Sequence, residues 1–215
     1  MQLIELIQAR IESLYGIKIG AKAGDYLIGE DELFELLPAH QQTVVPKELF
    51  LVNPDPDNDT VEVALFLDSK LKENLSHRNP LERLCAENIG DFCALIEGIS
   101  HFVCYLHKAH LNREITQLEL ELQAEIDKFL LLSLLTYSDE ANSYQLIDVL
   151  FEGYAINEAL ALDQIERYET ASTLAKKYCA SLACDIKARR IKNLVKKIRE
   201  FYSLSQEEKI RMIVC

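Results

Sequence analysis

Apolar residues recur every three to four positions over residues 1–15 (Leu3, Ile4, Ile7, Ile11, Leu14), the period of one helix face, and the pattern stops at Gly16. Glycines at 16, 20, 24 and 29 then separate short β-prone pieces, and "EDELFELL" reads as a brief helix closing before Pro38. The period shifts at "ELFLV" (48–52) and "VEVALFL" (61–67), which predict two strands. The stretch between them, "NPDPDNDT", is dense in turn formers, so the pair predicts a β-hairpin at about 48–67.

From residue 79 onward helical spacing dominates. It predicts helices near 80–87, 88–110, 113–136, 144–152, 157–184 and 186–202, with a short one from about 205. Asn79–Pro80 reads as a cap and first turn, Asn112 as a break, and "TYSDEANS" (136–143) as a linker. Small residues at Ala171, Ser172, Ala175 and Cys179 predict close packing of the 157–184 helix against 186–202. The expected fold class is α+β, mainly α. A small α/β region with the hairpin spans 1–76, and a helical bundle ending in a basic amphipathic helix spans 77–215. No period of 20 to 50 residues repeats along the chain.

Composition agrees with this picture. The chain has 215 residues, enough for a large core, and only 7 glycines and 5 prolines, which favours long helices over many short strands. The first residues carry Glu5 and no basic run, unlike a signal peptide. The most apolar run, "FLLLSLL" (129–135), is too short for a bilayer, which takes about 20 residues. The expectation is a cytoplasmic protein with no membrane association. The six cysteines form no C-x-x-C pair, so free thiols are expected rather than a zinc ribbon or a redox motif.

Candidate chemistry centres on "EGISHFVCYLHKAH" (97–110). On a helical wheel Ile89, Phe92, Ile96, Ile99, Phe102, Val103 and Leu106 make one apolar face, while Glu97 and His101 sit at i, i+4 on the opposite shoulder near Lys108. His107 and His110 fall at the helix end, where histidine suits the macrodipole. In the next helix Ile115, Leu118, Leu122, Ile126 and Phe129 form the stripe, with Glu119 and Glu125 on its shoulders. Antiparallel packing would bring Glu119 or Glu125 toward His107 and His101. Glu97, His101, Glu119 and Glu125 are therefore the candidates for a metal or acid–base site. A di-metal bundle needs two Glu-x-x-His motifs, and the chain has none. The preferred expectation is accordingly a buried helix with paired polar edges, no metal and no cofactor. Asp55, Asp57 and Asp59 alternate like a calcium loop, but its sixth and twelfth positions hold Thr60 and Phe66, so the motif fails. Phosphate-binding loops, the G-x-S-x-G elbow and the zinc-deaminase signature are absent.

Charge is the least random feature. Residues 186–211 hold nine Lys/Arg and three Asp/Glu, leaving 14 basic and 32 acidic residues in the rest of a chain of net charge −12. Arg189, Arg190, Lys192, Lys196, Lys197 and Arg199 fill one face of this helix, and Ala188, Ile191, Leu194, Val195, Ile198 and Tyr202 the other. Such a face predicts an acidic counterpart. The expected function is a non-enzymatic adaptor or assembly protein binding an acidic protein surface, or a second copy of itself, through that helix. Nucleic-acid binding through the same face is the first alternative, although the net negative charge opposes it. A metal-dependent helical-bundle enzyme is the second.

Overall fold

A computed structural model describes residues 2–38, 45–55, 60–136, 142–152 and 162–215. Helix α1 (Gln2–Tyr15) buries Ile4, Ile7, Gln8, Ile11 and Tyr15. It ends where Gly16 adopts φ +69° and the Ile17 amide donates back to the Glu12 carbonyl. Buried Gln8 then donates to the Ala21 carbonyl and accepts from the Ala23 amide, pinning the following loop to α1. After a 3₁₀ turn (Ala23–Tyr26) come β1 (Leu27–Ile28), α2 (Glu30–Leu36), β2 (Glu48–Asp55) and β3 (Thr60–Leu67). The sheet order is β1-β3-β2, with β1 parallel and β2 antiparallel to β3, and Glu48 lies opposite Leu67. The predicted hairpin is present; its connection at 56–59, which includes Asp57 and Asp59, lies outside the described residues.

Helices follow: α3 (Ser69–His77), α4 (Ala86–His110), α5 (Gln117–Leu135), α6 (Asn142–Phe151), α7 (Leu162–Lys187), α8 (Ile191–Ser203) and α9 (Gln206–Val214). The mainly helical α+β class is as the patterning predicts. Local boundaries differ where side chains capture the backbone. The helix expected at 80–87 is a turn, and α3 precedes it, N-capped by the Asp68 carboxylate. Asn79 accepts from the Leu81 amide, and buried Asn88 accepts from the Cys85 amide while donating to the Arg78 and Arg83 carbonyls. These bonds close the turn and start α4 at Ala86. Similarly, Thr116 caps α5. Asn112 takes φ +51° between α4 and α5, as the predicted break requires, and Arg189 takes φ +53° between α7 and α8. The interhelix linker at 137–141 and the start of the 157–184 prediction lie outside the described residues.

One continuous core crosses the 76/77 boundary. Ile4, Ile7 and Ile11 share it with Phe92, Leu95, Ile96 and Ile99, and Tyr15 stacks on Tyr202 with ring centroids 3.9 Å apart. Gly98 lets the sheet approach α4 closely, because a Cβ there would stand 2.9 Å from Leu65 Cδ1 and 3.0 Å from Glu48 Oε2. Among the described residues α4 is the one helix long and apolar enough to span a bilayer, yet 61% of that apolar window is buried inside the protein.

Candidate functional site

Helix α5 is buried on almost every side, although six of its thirteen buried positions are polar. A helix in that position must bring partners for each polar group, or lose roughly 1–3 kcal/mol per orphan. Apart from Ser133, whose Oγ has no hydrogen bond among the described residues, these polar groups lie along two stripes. Glu119, Gln123 and Asp127, four residues apart, face α1 and α9; Glu121, Glu125 and Lys128 face α4 and β2.

The first stripe is closed. Asp127 accepts from Ser100 Oγ at 2.5 Å, from the Tyr15 hydroxyl, and from Gln123 Nε2 at 3.2 Å. Burial raises its pKa to about 6 against these stabilising bonds. Glu119 binds Lys108 Nζ at 2.8 Å and Lys209 Nζ at 2.9 Å, and all three side chains are buried. Every polar end in this stripe meets a donor or a counter-charge; Glu119 Oε1 makes no well-directed hydrogen bond but sits between two ammonium groups.

The second stripe is not. α4 runs antiparallel to α5 and supplies Glu97 and His101 from consecutive turns, while β2 supplies Glu48 from its first residue. Lys128 Nζ lies 2.9 Å from Glu97 and 2.7 Å from Glu125. His101 is only 6% exposed, with Nδ1 3.9 Å from Glu48 Oε2 and Nε2 3.5 Å from Glu121 Oε2. Neither His101 Nε2 nor Glu48 Oε2, both inaccessible to solvent, has a hydrogen bond among the described residues. Ligand atoms of Glu97, His101 and Glu121 all lie within 4.8 Å of one another. Four carboxyl groups thus face one ammonium and one imidazole. With all four ionised, even a protonated His101 leaves two negative charges in excess among the described residues, and below about pH 8 a proton on Glu48 removes one of them.

The ionisation of the cluster reflects this crowding. Burial, then Glu97 nearby, pushes Glu48 up to about 8. Burial disfavours the His101 cation, but Glu121, Glu48 and Glu97 outweigh it and raise its pKa to about 9. Burial likewise raises Glu125, whereas Glu97 is held low because Lys128 outweighs the burial effect. Cys93, one turn before Glu97, is pushed by burial to about 11, which keeps it a thiol.

Three of the four residues expected as site candidates, Glu97, His101 and Glu125, come together, while Glu119 belongs to the separate pair with Lys108 and Lys209. The wheel placed Glu97 and His101 on an outward shoulder; they are enclosed because the sheet and α5 cover that side as well. Glu121 and Glu48 escaped the sequence reading. The spacing Glu121-x-x-x-Glu125-x-x-Lys128 was available as a signal for the first, but strand β2 meets α4 only in three dimensions.

The basic helix has intrachain roles for part of its charge. Arg190 Nε and Lys197 Nζ bind the enclosed Asp185 carboxylate at 2.7 and 2.6 Å, and Asn193 joins them at 2.9 Å. Arg199 donates to the Leu14 and Ser13 carbonyls, capping the end of α1. Lys196 approaches Glu200 at 3.7 Å, an exposed pair of little energetic weight. Comparison with known protein families, curated proteins and solved structures finds no match for this chain.

Proposed function

We propose that this chain is a cation-binding helical-bundle protein whose working centre is the Glu48–Glu97–His101–Glu121 cluster. The observation that carries this reading is the convergence of four enclosed carboxyl groups on one imidazole and one ammonium, with His101 Nε2 and Glu48 Oε2 left without a hydrogen bond. An acid buried without a counter-charge costs several kcal/mol, so a stability-neutral core would hold apolar residues here. A site that gains its missing charge from a bound cation explains why four carboxyl groups converge. The neighbouring Lys128 ammonium, seated between Glu97 and Glu125, is a cation of the chain's own bound in the same way. The test is thermal unfolding in chelator against a panel of magnesium, calcium, manganese, zinc and spermidine. At least one of these should raise the Tm of the wild type and leave Glu121→Gln unmoved. A Tm indifferent to every cation would end the reading.

A second reading, association with an acidic protein or a second copy through α8, draws on one observation. Lys192 is exposed with no acidic partner among the described residues, and Lys196, one turn on, is 71% exposed in its side chain. Light scattering and pull-down with Lys192→Ala/Lys196→Ala would show loss of an association that the wild type makes. An unchanged association would remove α8 from it.

A further inference from the structure

Resting on the cation-binding reading, we infer that the centre takes one divalent first-row transition-metal ion, ligated by His101 Nε2 and the carboxylates of Glu97 and Glu121, with Glu48 orienting the imidazole from behind.

The donor set selects the ion class. Magnesium and calcium take oxygen ligands, whereas an imidazole nitrogen among carboxylates suits zinc, iron or manganese. The spacing is close to what such an ion needs. Metal–ligand bonds of about 2.1 Å in tetrahedral geometry set ligand atoms about 3.4 Å apart. His101 Nε2 and Glu121 Oε2 already stand at 3.5 Å. The whole triad spans no more than 4.8 Å, a contraction within the swing of a glutamate side chain.

The orphaned nitrogen identifies the ligating atom. Nε2 is buried with no hydrogen-bond partner, yet it faces the carboxylate with which it would share the ion. The opposite nitrogen, Nδ1, faces Glu48 Oε2 at 3.9 Å, itself unpartnered. A metal-bound histidine commonly donates its other N–H to a carboxylate, which fixes the tautomer and the ring plane. Glu48 is thus a positioning residue, and Gly98 is what admits its carboxylate, since any Cβ there would press on Oε2. Lys128 Nζ holds Glu97 from outside the triad at 2.9 Å and so fixes where that carboxylate stands. Three protein ligands leave further coordination positions for water or a substrate atom, the arrangement of catalytic rather than purely structural zinc sites.

The experiment is equilibrium dialysis of chelator-stripped full-length protein against zinc, manganese(II) or iron(II), and separately against magnesium or calcium, read by elemental analysis. Side-chain ¹⁵N spectra of the histidines are recorded before and after zinc. The expected result is one equivalent of a transition-metal ion per chain and a large shift at His101 Nε2. Affinity should fall at least about 100-fold in His101→Gln and Glu121→Gln, and about 10- to 100-fold in Glu48→Gln with the stoichiometry kept. Circular dichroism of each variant confirms that it is folded. Binding of magnesium or calcium alone would overturn the transition-metal assignment while leaving the cation-binding reading standing. Undiminished binding in His101→Gln would overturn the ligand set. No binding of any ion, with no cation effect on Tm, would overturn both.

Discussion

His101 Nε2 points at Glu121 Oε2 from 3.5 Å, across the seam of α4 and α5, and the two are joined by no good hydrogen bond. Around the imidazole stand Glu48 from β2, Glu97 from its own helix and Glu121 from α5, while Lys128 of α5 joins Glu97 to Glu125. The sign of the resulting pH dependence follows from linkage. His101 has its pKa raised from 6.5 to about 9 on folding, so its contribution is complete below about pH 6.5 and lost as pH rises through 9. Glu48 is raised from 4.5 to about 8, so folding binds a proton there too, and that contribution fades between those values. Both act in one direction. In chelator, Tm should fall by several degrees between pH 6 and 9. His101→Gln should flatten the upper part of that fall, and Glu48→Gln should raise Tm at pH 9. A Tm that rises across this interval would contradict the assignment.

Gly98 sets the depth at which the sheet rests on α4. An alanine there would meet Leu65 Cδ1 at 2.9 Å and Glu48 Oε2 at 3.0 Å, and both lie in packed surroundings. Gly98→Ala should destabilise by about 1–3 kcal/mol, the usual cost of overpacking. The same substitution should displace Glu48 and so weaken metal binding to the extent that Glu48→Gln does. Chemical denaturation and the dialysis measurement check the two halves separately.

These residues also show what the sequence could and could not reveal. Period and turn chemistry disclosed the hairpin, α1, the break at Asn112 and most helices, because each is dictated within a few neighbouring residues. Asn88 and Asp68 shifted the α3–α4 region by capturing backbone groups, a competition that hydrophobic spacing does not register. The Glu97–His101 pair was legible as i, i+4 neighbours. Its enclosure was not, since it depends on β2 reaching the far side of α4. The basic residues at 189–199 were legible as a charge cluster, but not on one helix as expected: the chain turns at Arg189, Arg189 and Arg190 precede α8, and Asp185, enclosed on α7, gathers Arg190 and Lys197.

Lys128 is the one ammonium in the second stripe, with its side chain 5% exposed and bound by Glu97 and Glu125. Removing it leaves two enclosed carboxylates without their cation. Lys128→Met preserves volume and should cost about 3–5 kcal/mol in urea denaturation, in the range for breaking a buried pair. The loss should shrink in acid, where the raised Glu125 takes up a proton and relieves the repulsion. A pH-independent loss would point to packing instead.

Asp185 restrains Arg190, Asn193 and Lys197 at the α7–α8 joint, and these contacts hold its pKa below the ordinary value, Lys197 contributing most. Asp185→Ala should lower Tm and free two cations, Arg190 just ahead of α8 and Lys197 on it. The variant should elute from a heparin column at higher salt than the wild type, because more phosphate-like contacts become available. Unchanged elution would mean that the Arg190 and Lys197 side chains do not reach a polyanion even when released.

Lys209 makes the contrasting case. It is fully enclosed, ion-paired with Glu119 Oε1 at 2.9 Å and donating to Gln123 Oε1 at 3.2 Å, with its Nζ 5.4 Å from the Phe201 ring centre and 5.7 Å from that of Tyr202. In Lys209→Met, Glu119 still has Lys108 at 2.8 Å, so no carboxylate is abandoned as it is in Lys128→Met. The expected loss is about 1–3 kcal/mol, that of removing one charged hydrogen-bonding group while its carboxylate keeps a second cation. It should be local, because Lys209 is the polar anchor of α9 while Ile213 is its buried apolar one. Hydrogen exchange should show α9 amides losing protection while those of α4 and α5 keep theirs. Loss of protection across α5 as well would mean that the C-terminal helix holds the central helix in place, rather than resting on it.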